Sequence, residues 1–178
     1  MAALMGVILC GGESRRMGWD KGLLLKDDAP WVKHMADKLA AYGIPVVFSV
    51  NTSQIDAYTA ALPGARLVAD SAAADGPLKG LLSIHEQFPD KDLLLLACDM
   101  LDMDAVTLQR LIDAWREGGY ELYSYCEGTF FEPLCGIYTA AGLAGKQVAP
   151  SLQNLLRQGK TKSLVMVNNE AFRNYNTL

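Results

Sequence analysis

The chain has 178 residues, 51% of them hydrophobic and 20% charged, with a formal net charge of −4. This is the size of about one domain of roughly 150 residues, and the composition supports a packed core and excludes wholesale disorder. The acidic balance argues against a general nucleic-acid coat, which needs a basic face, yet it is compatible with a locally positive pocket for a small anion.

In chain order, residues 5–10 (MGVILC) read as a fully buried strand. No basic n-region accompanies them and Gly11-Gly12 end the run, so a signal peptide is not expected. Residues 30–42 read as a helix: Pro30 suits the first turn, and Trp31, Met35 and Leu39 recur every four residues. A second strand is expected over 45–50, a short helix over 53–62 with Ser53 as a cap, and a third strand over 66–69. Residues 77–88 are helical in period, with Leu78, Leu81, Leu82 and His85 on one side.

Residues 92–98 (DLLLLAC) give the clearest buried strand, and 104–117 the clearest helix, with Leu108, Leu111, Ile112 and Trp115 on one stripe and Gly118-Gly119 as its stop. Two strands follow, over 120–126 and 129–138, joined across Glu127-Gly128. A helix over 146–158 and a last strand over 163–167 complete the pattern. The longest of these apolar runs falls far short of the ~20 residues that span a bilayer. Continuous rather than alternating apolar strands, separated by helices, imply a sheet covered on both faces. The expected fold is a three-layer α/β/α domain, mostly parallel, with an antiparallel addition from the late strand pair.

In open α/β sheets ligands bind beyond the carboxyl ends of the strands. Here those ends carry Cys10-Gly11-Gly12, Asn51, Asp70 and Asp99. The first strand runs into Gly11-Gly12-Glu13-Ser14-Arg15-Arg16-Met17-Gly18-Trp19-Asp20-Lys21. Adjacent glycines let the backbone approach a ligand and turn its N–H groups toward it, and guanidinium and ammonium groups complement phosphate oxygens. Neither G-x-x-x-x-G-K-[ST] nor G-x-G-x-x-G occurs, which disfavours a P-loop NTPase and a dinucleotide-dependent oxidoreductase.

The stretch from Leu9 to Lys21 resembles the signature L-x-G-G-x-S-x-R-M-G-x-D-K of the molybdenum cofactor guanylyltransferases and their nucleotidyltransferase relatives. Asn51, Asp70, Gly76-Pro77-Leu78 with Gly80, Cys98-Asp99, Pro133-Leu134-Cys135-Gly136-Ile137-Tyr138 and Asn174-Tyr175-Asn176-Thr177 resemble further family segments, in order along nearly the whole chain. Leu101 stands where the family usually has proline. The resemblance implies a single domain over 1–178 with a glycosyltransferase-A-like nucleotidyltransferase fold. It also implies transfer of GMP from GTP to the phosphate of molybdopterin, with release of pyrophosphate. By the same resemblance Leu9, Cys10, Gly11, Gly12 and Lys21 contact the nucleotide and its phosphates. Asn51 and Asp70 serve the base and ribose, Asp99 holds Mg²⁺, and Asn174 and Asn176 lie near the acceptor. Lys21, Arg16 and Asp99 are the expected catalytic groups. Gly11-Gly12, where cytidylyl relatives usually carry Ala-Gly, favours GTP. A cytidylyltransferase, a sugar-phosphate nucleotidyltransferase and a nucleotide-binding module without turnover are the alternatives; molybdenum cofactor enzymes are expected partners.

A carboxylate that ends a rigid apolar strand and faces a cationic loop suits Mg²⁺, which takes one or two protein carboxylates plus phosphate oxygens and waters. Asp102 and Asp104, just before a helix, read as caps rather than as members of a three-carboxylate metal cluster. Asp75-Gly76-Pro77 reads as turn chemistry and Asp20 as a positioner of Lys21. His34 and His85 read as packed helix residues. With Cys10, Cys98, Cys126 and Cys135 lacking any C-x-x-C pair, zinc is not expected. Cys10 and Cys98 read as small buried hydrophobes in a reducing, cytoplasmic setting.

Overall fold

The computed structural model describes residues 2–11, 20–146 and 149–175. In chain order the elements are β1 (Leu4–Leu9), β2 (Leu25–Lys26), β3 (Ala29–Pro30), α1 (Trp31–Ala40), β4 (Val46–Val50), α2 (Ile55–Ala61), β5 (Leu67–Ala69), α3 (Gly76–Gln87), β6 (Asp92–Ala97), α4 (Ala105–Glu117), β7 (Leu122–Glu127), β8 (Phe130–Tyr138), α5 (Ala140–Leu143), α6 (Leu152–Gln158) and β9 (Thr161–Val165). Short 3-10 turns lie at Lys21–Leu23, Thr52–Gln54 and Asn169–Phe172.

The strands form a seven-stranded sheet in the order β5-β4-β1-β6-β8-β7-β9, while β2 and β3 make a separate two-residue hairpin. β1 pairs in parallel with both β4 and β6, β4 with β5, and β7 with β9. β8 is antiparallel to both its neighbours, β6 and β7. The expected antiparallel addition is thus one reversed strand inserted inside the sheet, returning from β7 across Gly128, whose φ of 61° suits glycine.

The continuous apolar runs have a simple cause. Leu94 and Leu96 point into the layer packed by Trp31, Met35 and Leu39 of α1 and Leu108, Leu111 and Ile112 of α4. Leu93 and Leu95 point into the opposite layer with Leu78, Leu81 and Leu82 of α3 and Leu152, Leu155 and Leu156 of α6. Side chains alternate faces along a strand, so a strand covered on both faces needs an apolar residue at every position.

Several boundaries shift. Pro30 precedes α1 instead of opening it, and pairs with Leu25. The cap before the 53–62 segment is Asn51 rather than Ser53, because a 3-10 turn begins one residue earlier. The helical period over 146–158 resolves into α6 alone, capped by Ser151 through Asn154 N–H; residues 147–148 lie outside the described residues. β9 occupies 161–165, which leaves Val167 beyond it and exposed.

A candidate nucleotide and phosphate site

β1, β4, β5 and β6 all run the same way, so Gly11, Asn51, Asp70 and Asp99 emerge at one edge of the sheet. From β1 the chain steps outward to β4 and β5, then returns to place β6 on the other side of β1. The crevice between the ends of β1 and β6 is therefore a topological switch point, where open α/β sheets bind ligands.

Across it, Lys21 Nζ lies 3.3 Å from Asp99 Oδ2, with side chains 21% and 14% exposed. Partial burial of both groups shields their charges from bulk water. Leu9 and Cys10 are buried beneath the crevice. The backbone N–H of Cys10 donates to Ser49 O at 2.9 Å and the carbonyl of Leu9 accepts from Cys98 N–H at 3.1 Å. These two residues form a floor, with the Leu9 carbonyl and the Cys10 N–H already serving the sheet. Gly12 and Arg16 lie outside the described residues.

Asp20 holds the lysine indirectly. Its Oδ1 accepts from Gly22 N–H at 3.1 Å, capping the 3-10 turn that begins with Lys21. The same oxygen accepts from Tyr58 O–H at 2.7 Å, and Oδ2 accepts from Gln54 Nε2 at 2.6 Å. Gln54 also donates to Cys10 O at 3.3 Å and accepts from Asn51 N–H at 2.7 Å. One amide thereby ties the ends of β1 and β4 to the turn that carries Lys21. Sequence reasoning missed Gln54 and Tyr58. The Asn51-x-x-Gln54 spacing, which resembles a capping box, carried a signal for Gln54; Tyr58 carried none beyond its place on a buried helix face. Burial, with the nearby Cys10 thiol and Asp20 carboxylate, pushes the Tyr58 hydroxyl well above its ordinary range, so it stays a donor.

Asn51 and Asp70 stand together beside Gly11. A Cβ on Gly11 would lie 2.8 Å from Asp70 Oδ2 and 3.2 Å from Asn51 Oδ1. Asp70 Oδ1 accepts from Ser49 O–H at 2.6 Å. Behind it, a Cβ on Gly80 of α3 would collide with Ser49 Oγ and reach Leu9 Cδ2 at 2.8 Å. Glycine at 11 and 80 thus lets two elements close around this carboxylate. Burial pushes the Asp70 carboxyl upward, while the Ser49 hydrogen bond and Lys79 oppose the shift.

The acidic loop after β6 divides its labour. Asp104 caps α4, accepting from Thr107 N–H at 2.7 Å, and also accepts from Asn168 Nδ2 at 2.7 Å. Asp102 does not cap: its Oδ2 accepts from Tyr175 O–H at 2.7 Å, because the C-terminal segment crosses the loop at this point. No group of three or more His, Cys, Asp or Glu among the described residues is arranged to hold a metal. Met100 and Leu101 are buried, so leucine fills the site of the family's proline as a packing residue. Asn174 is exposed next to Tyr175, whose N–H donates to Asp99 O at 3.1 Å. Asn176 lies outside the described residues.

The remaining candidates fall away from the chemistry. His34 Nε2 is 2.6 Å from Lys26 O, under the β2–β3 hairpin, and His85 is buried in α3. Burial pushes the Cys98 thiol up to about 12 and the Cys10 thiol well above its ordinary value, so both stay protonated. A neutral thiol is a poor nucleophile. Asp75 precedes α3 without a side-chain capping bond, as expected of a turn residue.

The donor set at the crevice fits one divalent cation. Asp99 offers a rigidly placed carboxylate whose Oδ1 has no hydrogen-bond partner among the described residues. One carboxylate completed by phosphate oxygens and waters is the usual surrounding of Mg²⁺.

Residues 6–171 match the MobA-like NTP transferase domain family. A Synechocystis protein named "Molybdenum cofactor biosynthesis bifunctional protein" is 31% identical over 153 residues, which is 85% of this chain and 43% of that protein. The chain therefore spans less than half of that relative. A Nostoc "Probable molybdenum cofactor guanylyltransferase" is 29% identical over 89% of this chain and 74% of its own length. The crystal structure of "Molybdopterin-guanine dinucleotide biosynthesis protein A" from Archaeoglobus fulgidus superimposes with a TM-score of 0.78 at 17% identity, covering 97% of this chain and 92% of that one. At that identity the likeness speaks for the fold. No helix among the described residues is long and apolar enough to cross a membrane.

Proposed function

Because this chain belongs to the MobA-like NTP transferase domain family, we propose that it transfers GMP from GTP to the phosphate of molybdopterin, forming molybdopterin guanine dinucleotide and pyrophosphate. The observation that carries the reading is the Lys21–Asp99 pair at 3.3 Å across the β1/β6 switch point, on the sheet edge where Asn51 and Asp70 flank Gly11. A cation suited to phosphate, a carboxylate suited to a divalent metal and polar groups suited to a base support the reading from one edge of the sheet.

The acceptor phosphate oxygen attacks the α-phosphorus, a P–O bond forms, and the bond to the β-phosphate bridge breaks in line with it. The electron pair leaves on pyrophosphate. A phosphate monoester with a second pKa of about 6 is ionised at neutral pH, so no strong general base is required. The absence of a histidine from the described crevice agrees with that.

Lys21 neutralises the triphosphate and Arg16 is assigned to the same task. Asn51 and Asp70 hold the base and ribose, and Leu9, Cys10, Gly11 and Gly12 are assigned contacts with the nucleotide. Asn174 and Asn176 receive the acceptor. Asp99 would hold Mg²⁺, which when bound supplies charge neutralisation on the phosphates. Positioning and electrostatics supply the acceleration. The whole of 1–178 acts as one such domain in this reading, in the cytoplasm and alongside other molybdenum cofactor enzymes.

The test compares GTP, CTP and ATP, each with Mg²⁺ and molybdopterin, by following pyrophosphate. Release with GTP alone is expected. Preference for CTP moves the assignment to a cytidylyltransferase, and tight GTP binding without release makes the chain a binding module.

A further inference from the structure

The segment after the Asn169–Phe172 turn is tied to the loop that follows β6 at three points. Tyr175 N–H donates to Asp99 O at 3.1 Å. Tyr175 O–H donates to Asp102 Oδ2 at 2.7 Å, and Arg173 Nη1 reaches the same oxygen at 3.5 Å. The Tyr175 ring meets the buried Trp31 edge-on, with centroids 6.3 Å apart.

Each contact has a distinct physical consequence. The ring on Trp31 supplies apolar burial, which is non-directional. The hydroxyl aimed at Asp102 adds direction, since a charge-assisted hydrogen bond fixes both distance and angle. The main-chain bond sets Tyr175 against the carbonyl of the very residue whose carboxylate faces Lys21. Asn174, exposed, is held between Arg173 and Tyr175.

We infer that Tyr175 and Asp102 are positioning residues for the acceptor: their hydrogen bond fixes Asn174 relative to Asp99, so that acceptor and nucleotide are held on one frame. The inference rests on the transfer reading above. Loosening this bond frees the tail but leaves Lys21, Asn51 and Asp70 in place. Its effect therefore falls on the acceptor and spares GTP. A bond that merely stabilised the fold would disturb both substrates alike.

Tyr175→Phe removes the hydroxyl and keeps the ring on Trp31. With wild type active, the KM for molybdopterin should rise about tenfold, the equivalent of one charge-assisted hydrogen bond. The KM for GTP and kcat should move by no more than about twofold. Asp102→Ala removes the same hydrogen bond and the Arg173 contact with it, so it should act in the same direction, and the double variant should be no worse than the worse single one. Melting temperatures measured in parallel keep a folding defect in Asp102→Ala separate, and Tyr175→Phe then decides. An unchanged acceptor KM in Tyr175→Phe, equal shifts in both KM values, or additive losses in a stably folded double variant overturns the inference alone. A wild-type chain that transfers no GMP overturns the transfer reading and this inference with it.

Discussion

Lys21 Nζ and Asp99 Oδ2 lie 3.3 Å apart although 78 positions separate them in the chain. The lysine arrives on a 3-10 turn capped by Asp20, the aspartate on the residue after β6 and Cys98. The two meet because β1 and β6 are parallel neighbours, with Leu9 opposite Ala97.

Lys21→Ala and Asp99→Asn should each cut pyrophosphate release on the order of 10²–10³-fold, the scale of losing one preorganised charge contact. Both groups are only partly buried, so the circular dichroism spectrum should remain native. Near-normal turnover in either variant refutes the role given to that residue.

Gly11→Ala should weaken GTP binding. The new methyl would press on Asp70 and Asn51, and overpacking of this kind costs about 1–3 kcal/mol. Gly80→Ala should lower stability as well, because its methyl meets Ser49 and Leu9 inside the core. Denaturant midpoints and nucleotide titration separate the two effects.

Tyr58→Phe should destabilise the fold by about 1.5–3 kcal/mol, the usual worth of a hydrogen bond to a charged group. It leaves Asp20 Oδ1 with the Gly22 N–H and loosens the turn that carries Lys21. Urea unfolding together with the KM for GTP reads this out; a stability loss without any change toward GTP would show that the network serves the core alone.

Two aspartates should tilt the pH dependence of stability in opposite directions. Burial raises Asp70 above its ordinary 3.8, so the native state keeps that proton longer than the unfolded chain. Its contribution is full below 3.8 and is lost as pH rises through the folded value. Asp70→Asn should therefore gain stability relative to wild type as pH climbs through that window. Burial alone would raise Asp104 too, but the Thr107 N–H and Asn168 amide outweigh it and hold the carboxyl below 3.8. Its contribution is full above 3.8 and is lost as pH falls through the folded value. Asp104→Asn keeps a good capping residue and should lose stability relative to wild type at neutral pH, with the difference closing in acid. Denaturation at a series of pH values checks both slopes.

The strand and helix pattern was readable because burial leaves a period. Leu93 to Leu96 are apolar at every position since both faces of β6 are covered, and Leu108, Leu111 and Ile112 repeat at helical spacing since one side of α4 is. From that alone, parallel strands separated by helices must end on one edge, which places Gly11, Asn51, Asp70 and Asp99 near one another.

The sequence by itself determined the layers, the edge that carries the polar residues, and the glycine-rich approach to it, because these follow from local apolar spacing and chain direction. Only the tertiary structure decided that β8 runs reversed inside the sheet, that Asp20 answers to Gln54 and Tyr58, and that Asp102 holds Tyr175 from 73 positions away instead of capping α4. Polar contacts between loops leave no period in the chain; they depend on where each loop is carried once the core has closed.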